Sequence, residues 1–344
     1  MDIPELIESE DQLDDVMSTP SPALVEMMKS LEGDIMILGI GGKMGISLGI
    51  EAVRACKAAG VEKNIIGVSR FSDSAVSDKL TAAGLQCISC DLLDRFSVDR
   101  LPLVPNIVYM AGRKFGTDGG EAMTWASNTV IPANVVSHFS ASRIVVFSTG
   151  NIYPLAAVES EGALESTAPA PIGEYAQSCL GRERVFTWGS LENETPMLLF
   201  RLNYAVDLRY GVLFDIGTKV FNSQAVNLDN GYFNCIWQGD ANTQGLLSLA
   251  HCTSPPTILN VTGPETVSVR MVAETFAGIF GMPAELVGTE SQTALLSNSK
   301  AATDLFGKPT VSLQRLIEWT AHWIKTGGAS LGKPTHFEVR NGSY

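Results

Sequence analysis

The sequence predicts an α/β chain built on a doubly wound parallel sheet, and two observations carry that expectation. Short apolar runs alternate with helix-like stretches from Asp34 to about Asp207, and a glycine-rich turn follows the first run directly. Strands covered by helices on both faces need apolar side chains on both faces, so the runs lack the polar alternation of a half-exposed sheet. In order they are IMIL (35–38), NIIGVS (64–69), LQCISC (85–90), NIVYM (106–110), RIVVFST (143–149) and PMLLFRL (196–202). Helical spacing fills the gaps at 45–60, 73–84, 123–139 and 174–190. Beyond Asp207 the pattern loosens, TILNVTG (257–263) reads as a late strand, and 267–281 and 311–328 read as amphipathic helices of a smaller C-terminal lobe.

Composition narrows the class. The 344 residues are 45% apolar and 18% charged, the profile of a globular fold with a sizeable core. The net charge of −13 disfavours nucleic acid and anionic membrane as partners. Seven acids fall in the first fifteen residues with no base before Lys29, which reads as a solvated arm. That start lacks the basic and apolar regions of a secretory signal, and no run is long enough to span a membrane, so a cytoplasmic location is expected. Six dispersed cysteines suggest reduced thiols. Cys87 and Cys90 form a lone CxxC best read as strand packing, and the four histidines show no ligand spacing, so no metal is expected.

The chemistry begins at Gly39-Ile-Gly41-Gly42-Lys43-Met44-Gly45, between the first strand and the first core helix. Glycines let a backbone approach a diphosphate, and the helix N-terminus behind them offers unpaired N–H groups and the positive end of its dipole. This strand, turn and helix predict a dinucleotide cradle. The second strand closes on Ser69-Arg70, where a site selective for NAD usually carries an acid. A guanidinium there can pair with a 2′-phosphate, so NADP is preferred over NAD; the alternative is a solvated strand-end arginine. Asp91 and Leu92 follow the third strand, placed for the adenine ring.

From Asp34 to Lys325 the chain resembles the extended short-chain dehydrogenase/reductase superfamily, of the NAD-dependent epimerase/dehydratase type. The resemblance rests on an ordered series: the glycine turn, CDLLD (90–94), MAG (110–112), Asn128, FSTGNIY (147–153), PIGEY (171–175), RLNYAVD (201–207) and NVTGPETVSVR (260–270). It implies a Rossmann-like domain over 31–206, with 232–262 returning to it, and a substrate lobe from 207–231 and 263–344. Residues 1–30 remain an acidic arm and lead helix. It also implies that Ala111, Gly112, Asn128 and Tyr175 adjoin the coenzyme. Tyr175 becomes the acid/base at a reacting hydroxyl or carbonyl, with Thr149, or else Ser148, orienting that oxygen.

One departure matters. The family pattern is YxxxK, and four residues after Tyr175 stands Cys179. A phenol ionises near pH ~10 and a neighbouring cation lowers that by roughly 1 to 3 units, so without the lysine Tyr175 needs another cation. Lys114 is the favoured candidate, with Arg113 and Arg182 as alternatives, Arg182 also being readable with Glu183 as a surface pair. Asn151, Arg201, Asn203 and Arg209 are candidate substrate contacts. Trp237 is a candidate stacking surface for a sugar-like ring, packing between lobes being the equal alternative. The family's element for a nucleotide-diphosphate handle is absent, so the expected substrate is a sugar, sugar acid or similar polyol. The expected activity is hydride transfer in an oxidoreductase, epimerase or dehydratase; the alternative is a coenzyme-binding sensor or assembly subunit with weakened turnover. Family members pair through the helices at 121–139 and 175–190, which here carry Trp125, Val135, Val136, Leu180, Val185 and Phe186, so a homodimer is expected.

Overall fold

A computed structural model describes residues 3–114, 119–333 and 335–342. Seven strands form one parallel sheet: β1 (Ile35–Leu38), β2 (Ile65–Ser69), β3 (Gln86–Ser89), β4 (Asn106–Tyr109), β5 (Arg143–Thr149), β6 (Met197–Leu202) and β7 (Thr257–Val261). Their order is β7-β6-β5-β4-β1-β2-β3. The chain therefore winds outward from β1 to β3, crosses back, and winds the other way from β4, which is the doubly wound Rossmann-like arrangement expected from the sequence. β1 pairs in register with both β2 and β4, and every residue of β1 and β4 is buried. A crevice opens at the carboxyl ends of β1 and β4, where the winding direction reverses.

Eight helices matter here: α1 (Glu10–Met17), α2 (Pro22–Ser30), α3 (Gly45–Ala59), α4 (Gly173–Asn193), α5 (Val212–Phe221), α6 (Gln238–Leu247), α7 (Val269–Phe280) and α8 (Leu313–Lys325). Leu48, Ala52, Ala55 and Cys56 of α3 enter one core with β1, α2 and α6. α5, α7 and α8 share a second core, in which the ring of Trp319 meets Trp237 edge-on at 5.5 Å.

The acidic arm is not solvated. Ile7, Leu13 and Met17 are buried in that second core, and the Trp319 indole N–H donates to the carbonyl of Glu5. Its acids face outward into ion pairs, Asp15 with Arg54 and Asp14 with Lys79 and Arg209. The charge run hides an amphipathic helix whose apolar positions were too few to outweigh it in the sequence.

The suggested pairing helices also differ from expectation. Val135, Val136 and Phe186 lie in the chain's own core, while Trp188 is 59% exposed and Leu191 and Val130 are exposed. Among the described residues no helix is long and apolar enough to cross a membrane.

Candidate functional site

The glycine turn leaves β1 with Gly39 at φ +87°, a left-handed conformation, and a Cβ there would sit 2.6 Å from the Ala111 nitrogen. A Cβ on Gly45 would run into the carbonyl of Ile40, so glycine is what lets α3 begin so close to the turn. The backbone N–H groups of Gly41, Lys43 and Met44 meet no acceptor among the described residues. Unpaired donors at a helix N-terminus form an anion cradle, and the residues present fit the diphosphate of a dinucleotide.

From this cradle a cavity of about 610 Å³ runs along the carboxyl ends of β1, β2, β3 and β4. Gly39, Gly41, Gly42, Ser69, Arg70, Asp91, Leu92, Ala111 and Gly112 all line it. Its volume is within the range of roughly 300 to 1,000 Å³ typical of small-molecule sites. Arg70 is exposed at its rim, and Asp91 there also accepts from the Leu93 N–H. Nothing in the sequence pointed to Phe71, Ser72, Asp73 and Val76, which line the end of the cavity beside Arg70, where the chain turns at Phe71 with φ +47°. Cys90 lines the same cavity, and Cys87 is a half-buried free thiol on the edge strand β3.

At the end of β5 the two hydroxyl candidates separate. The Ser148 hydroxyl donates to Glu183 Oε1 at 2.6 Å. Thr149 instead faces Tyr175, whose phenol is hydrogen-bonded to it and to the Cys179 thiol. Thr149 also contacts Asn151 through the Asn151 N–H at 3.1 Å. Burial, and then Cys179, make the Tyr175 phenol much less acidic than an ordinary tyrosine, with its pKa raised. Burial likewise raises Cys179, which is inaccessible to solvent.

Arg182 is not a surface residue. One helical turn past Cys179, its buried guanidinium donates to Asn128 Oδ1 at 2.5 Å and to the Phe147 carbonyl at 2.9 Å. It adjoins Gly112 closely enough that a Cβ there would collide with it, and its charge acts on both Tyr175 and Cys179. Asn128 has its amide engaged by protein: it also accepts from the Arg113 N–H and donates to Ser178. Lys114 reaches the same place from the loop after β4, with its Nζ 6.0 Å from the Tyr175 ring centre.

Most of the expected substrate contacts are instead engaged within the protein. Arg201 is buried, pairs with Glu183 through two hydrogen bonds of 3.0 and 2.7 Å, and donates to the Tyr153 hydroxyl. Asn203 donates to Asn234 and to the Leu295 carbonyl. Arg209 is held by Asp207, Asp14 and Glu10. Trp237 is buried against Trp319, so the packing alternative describes it. Asn151 lines a small cavity with Tyr204 and Arg340. Lys43 extends from the glycine turn toward the lobe, where its Nζ lies 3.4 Å above the Tyr210 ring.

No family model matches the chain, and no curated protein sequence matches it. Solved structures do. UDP-glucose 4-epimerase from Thermotoga maritima, solved with UDP-glucose, superposes with a TM-score of 0.70 at 15% identity, over 86% of this chain and 99% of that one. The Bordetella bronchiseptica enzyme WbmG, in complex with NAD and UDP, gives 0.70 at 19% identity, over 89% and 99%. A dTDP-glucose 4,6-dehydratase from Streptomyces venezuelae with NAD bound gives 0.71 at 16% identity, over 85% and 97%. At these identities the likeness is one of architecture, and the chain has the Rossmann-like fold of these epimerase and dehydratase structures.

Proposed function

We propose that the protein is an NAD(P)-dependent oxidoreductase of the epimerase/dehydratase type, acting on a carbohydrate-like hydroxyl or carbonyl. The observation that carries this reading is the Tyr175 phenol hydrogen-bonded to Thr149 and acted on by Arg182, whose guanidinium abuts Gly112 in the wall of the long cavity. Gly39, Gly41, Gly42, Lys43, Met44 and Gly45 would hold the coenzyme's diphosphate, Asp91 and Leu92 its adenine, and Ser69 and Arg70 its ribose, with Arg70 favouring NADP. When bound, the coenzyme supplies or accepts the hydride. Tyr175, kept protonated by burial, donates its proton to the substrate oxygen that Thr149 orients. Arg182 provides the positive charge that the usual lysine would bring, and Asn128 fixes its direction. Lys114 is the second cation beside the phenol. Two copies pairing through the exposed face of α4 belong to the same reading.

A second reading rests on Cys179: a neutral thiol where the family has its lysine favours a sensor or assembly subunit that binds coenzyme without turnover. Fluorescence of NADPH tests binding, and a panel of sugars and sugar acids tests turnover. The enzyme reading expects both, with Tyr175→Phe losing turnover and keeping NADPH affinity. Binding with no turnover on any substrate supports the sensor; no binding sinks both.

A further inference from the structure

The N-terminal arm is tied to both the sheet and the lobe. On the lobe side Leu13 and Met17 are buried in the second core, and the carbonyl of Glu5 accepts from the Trp319 indole and from Arg315 Nη1 at 2.8 Å. On the sheet side Asp14 Oδ2 pairs with Lys79 in the helix Ser74–Ala82, which follows β2, and Asp15 pairs with Arg54 of α3. The other oxygen of Asp14 takes Arg209 Nη2 at 3.1 Å. One carboxylate of the arm thus joins a cation of the sheet side to a cation at the start of the lobe.

Arg209 carries that contact inward. It sits in a tight turn closed by reciprocal backbone bonds, the Asp207 N–H donating to the Tyr210 carbonyl at 2.9 Å and the Tyr210 N–H donating to the Asp207 carbonyl at 3.3 Å. Inside the turn the Arg209 N–H donates to Asp207 Oδ1 at 2.9 Å, and Arg209 Nη2 pairs with Asp207 Oδ2 at 3.0 Å. Tyr210 then presents its ring to Lys43, whose Nζ lies 3.4 Å from the ring centre. Lys43 belongs to the glycine turn, and its own backbone N–H is one of the unpaired donors of the cradle. Direct contacts therefore run from Asp14 through Arg209 and Tyr210 to the cradle.

A turn made of glycine benefits from such a tether. Gly41 and Gly42 before Lys43, and Gly45 after it, leave the backbone there many conformations, and ordering them is a cost that ligand binding has to meet. A Lys43 side chain held on the buried ring of Tyr210 removes part of that freedom before a ligand arrives, and a cation–π contact is strongest where water is excluded.

Resting on the reading of the glycine turn as a coenzyme cradle, we infer that Asp14 of the N-terminal arm is a positioning residue for the coenzyme: through Arg209 and the face of Tyr210 it preorganises Lys43 and the N–H groups that receive the diphosphate. The arm is a strap whose hold on the Asp207–Tyr210 turn sets coenzyme affinity without touching the coenzyme. Asp15 supplies the internal comparison. It lies on the same helix and makes its ion pair at 2.6 Å, but its partner Arg54 is on α3 beyond Leu48 and Ala52, which the core already fixes.

Two measurements on the full chain test this. In ¹³C-lysine NMR the Lys43 ε-methylene signal, identified by its loss in Lys43→Gln, is expected upfield of ordinary lysines because it lies over the Tyr210 ring. Asp14→Asn should abolish that displacement and Asp15→Asn should leave it. In a fluorescence titration NADPH should bind about five- to tenfold more weakly to Asp14→Asn, as in the parent to Asp15→Asn, and with most of its affinity restored in Asp14→Glu. In a Tyr210→Ala background Asp14→Asn should weaken NADPH no further, because the relay is already cut. Equal losses in Asp14→Asn and Asp15→Asn would mean that the arm acts only through general stability, and would overturn the inference. So would an undiminished loss in the Tyr210→Ala background, or a Lys43 signal that Asp14→Asn does not move. The two ideas fail differently: NADPH bound equally by the parent and Asp14→Asn removes the strap alone, whereas a parent chain that binds no NADPH removes the cradle reading and the strap with it.

Discussion

Glu183→Gln is expected to destabilise the chain severely and to disturb the end of β5. The Glu183 carboxylate and the Arg201 guanidinium are 3% and 4% exposed, and their Oε2 and Nη2 lie 2.7 Å apart. Glu183 Oε1 also accepts from Arg201 Nε and from the Ser148 hydroxyl. Replacing the carboxylate by an amide leaves a buried guanidinium without its counter-charge, for which the cost is about 3 to 5 kcal/mol. Each 1.4 kcal/mol is roughly tenfold, so the folding equilibrium falls by two to nearly four orders of magnitude. The amide keeps one acceptor oxygen for three donors, Ser148 Oγ, Arg201 Nε and Arg201 Nη2, so Ser148, next to Thr149 in β5, competes for it. Urea denaturation at neutral pH measures the first effect, and NADPH-dependent turnover measures the second. The double variant Glu183→Leu with Arg201→Met, which removes both charges, should recover much of the stability. A loss below about 1 kcal/mol, the scale of a surface pair, would refute the reasoning. So would a double variant no better than the single one.

Three other outcomes follow from the site. Arg70→Ser should weaken NADP binding about 10- to 100-fold, the worth of one or two charge-assisted hydrogen bonds, and leave NAD binding unchanged. Equal loss for both coenzymes in a titration would remove the 2′-phosphate assignment. Arg182→Met should shift the pH–rate limb governed by Tyr175 upward by about 1 to 3 units, with Arg182→Lys restoring part of the shift; an unmoved limb would leave Arg182 a purely packing residue. Lys43→Met should raise the melting temperature most below pH 7. The Lys43 charge is disfavoured in the folded chain, at about 7, relative to its ordinary 10.5. The unfolded chain therefore binds the extra proton between those values, and this group's contribution to stability rises with pH across that window. The gain from the substitution should shrink through the same window and vanish above it; a gain independent of pH would contradict the assigned cause.

The sequence by itself determined the sheet and its cradle. Apolar runs such as IMIL and RIVVFST have no other stable place than a strand covered on both faces, and the spacing of Gly39, Gly42 and Gly45 between strand and helix encodes a local backbone turn that needs no distant partner. That Tyr175 and Thr149 lie together was legible through the order of motifs along the chain. Tertiary structure alone decided which charges are available. Arg201, Arg209 and Trp237 look like ligand contacts in one dimension, but Glu183, Asp14 and Trp319 that engage them lie 18, 195 and 82 positions away. Arg182 and Glu183 look like a solvated pair because they are adjacent, yet on α4 they point into different buried networks, one toward Asn128 and one toward Arg201. Whether a polar side chain serves the fold or the site depends on its partners in space, and long-range pairing leaves no periodic trace in sequence.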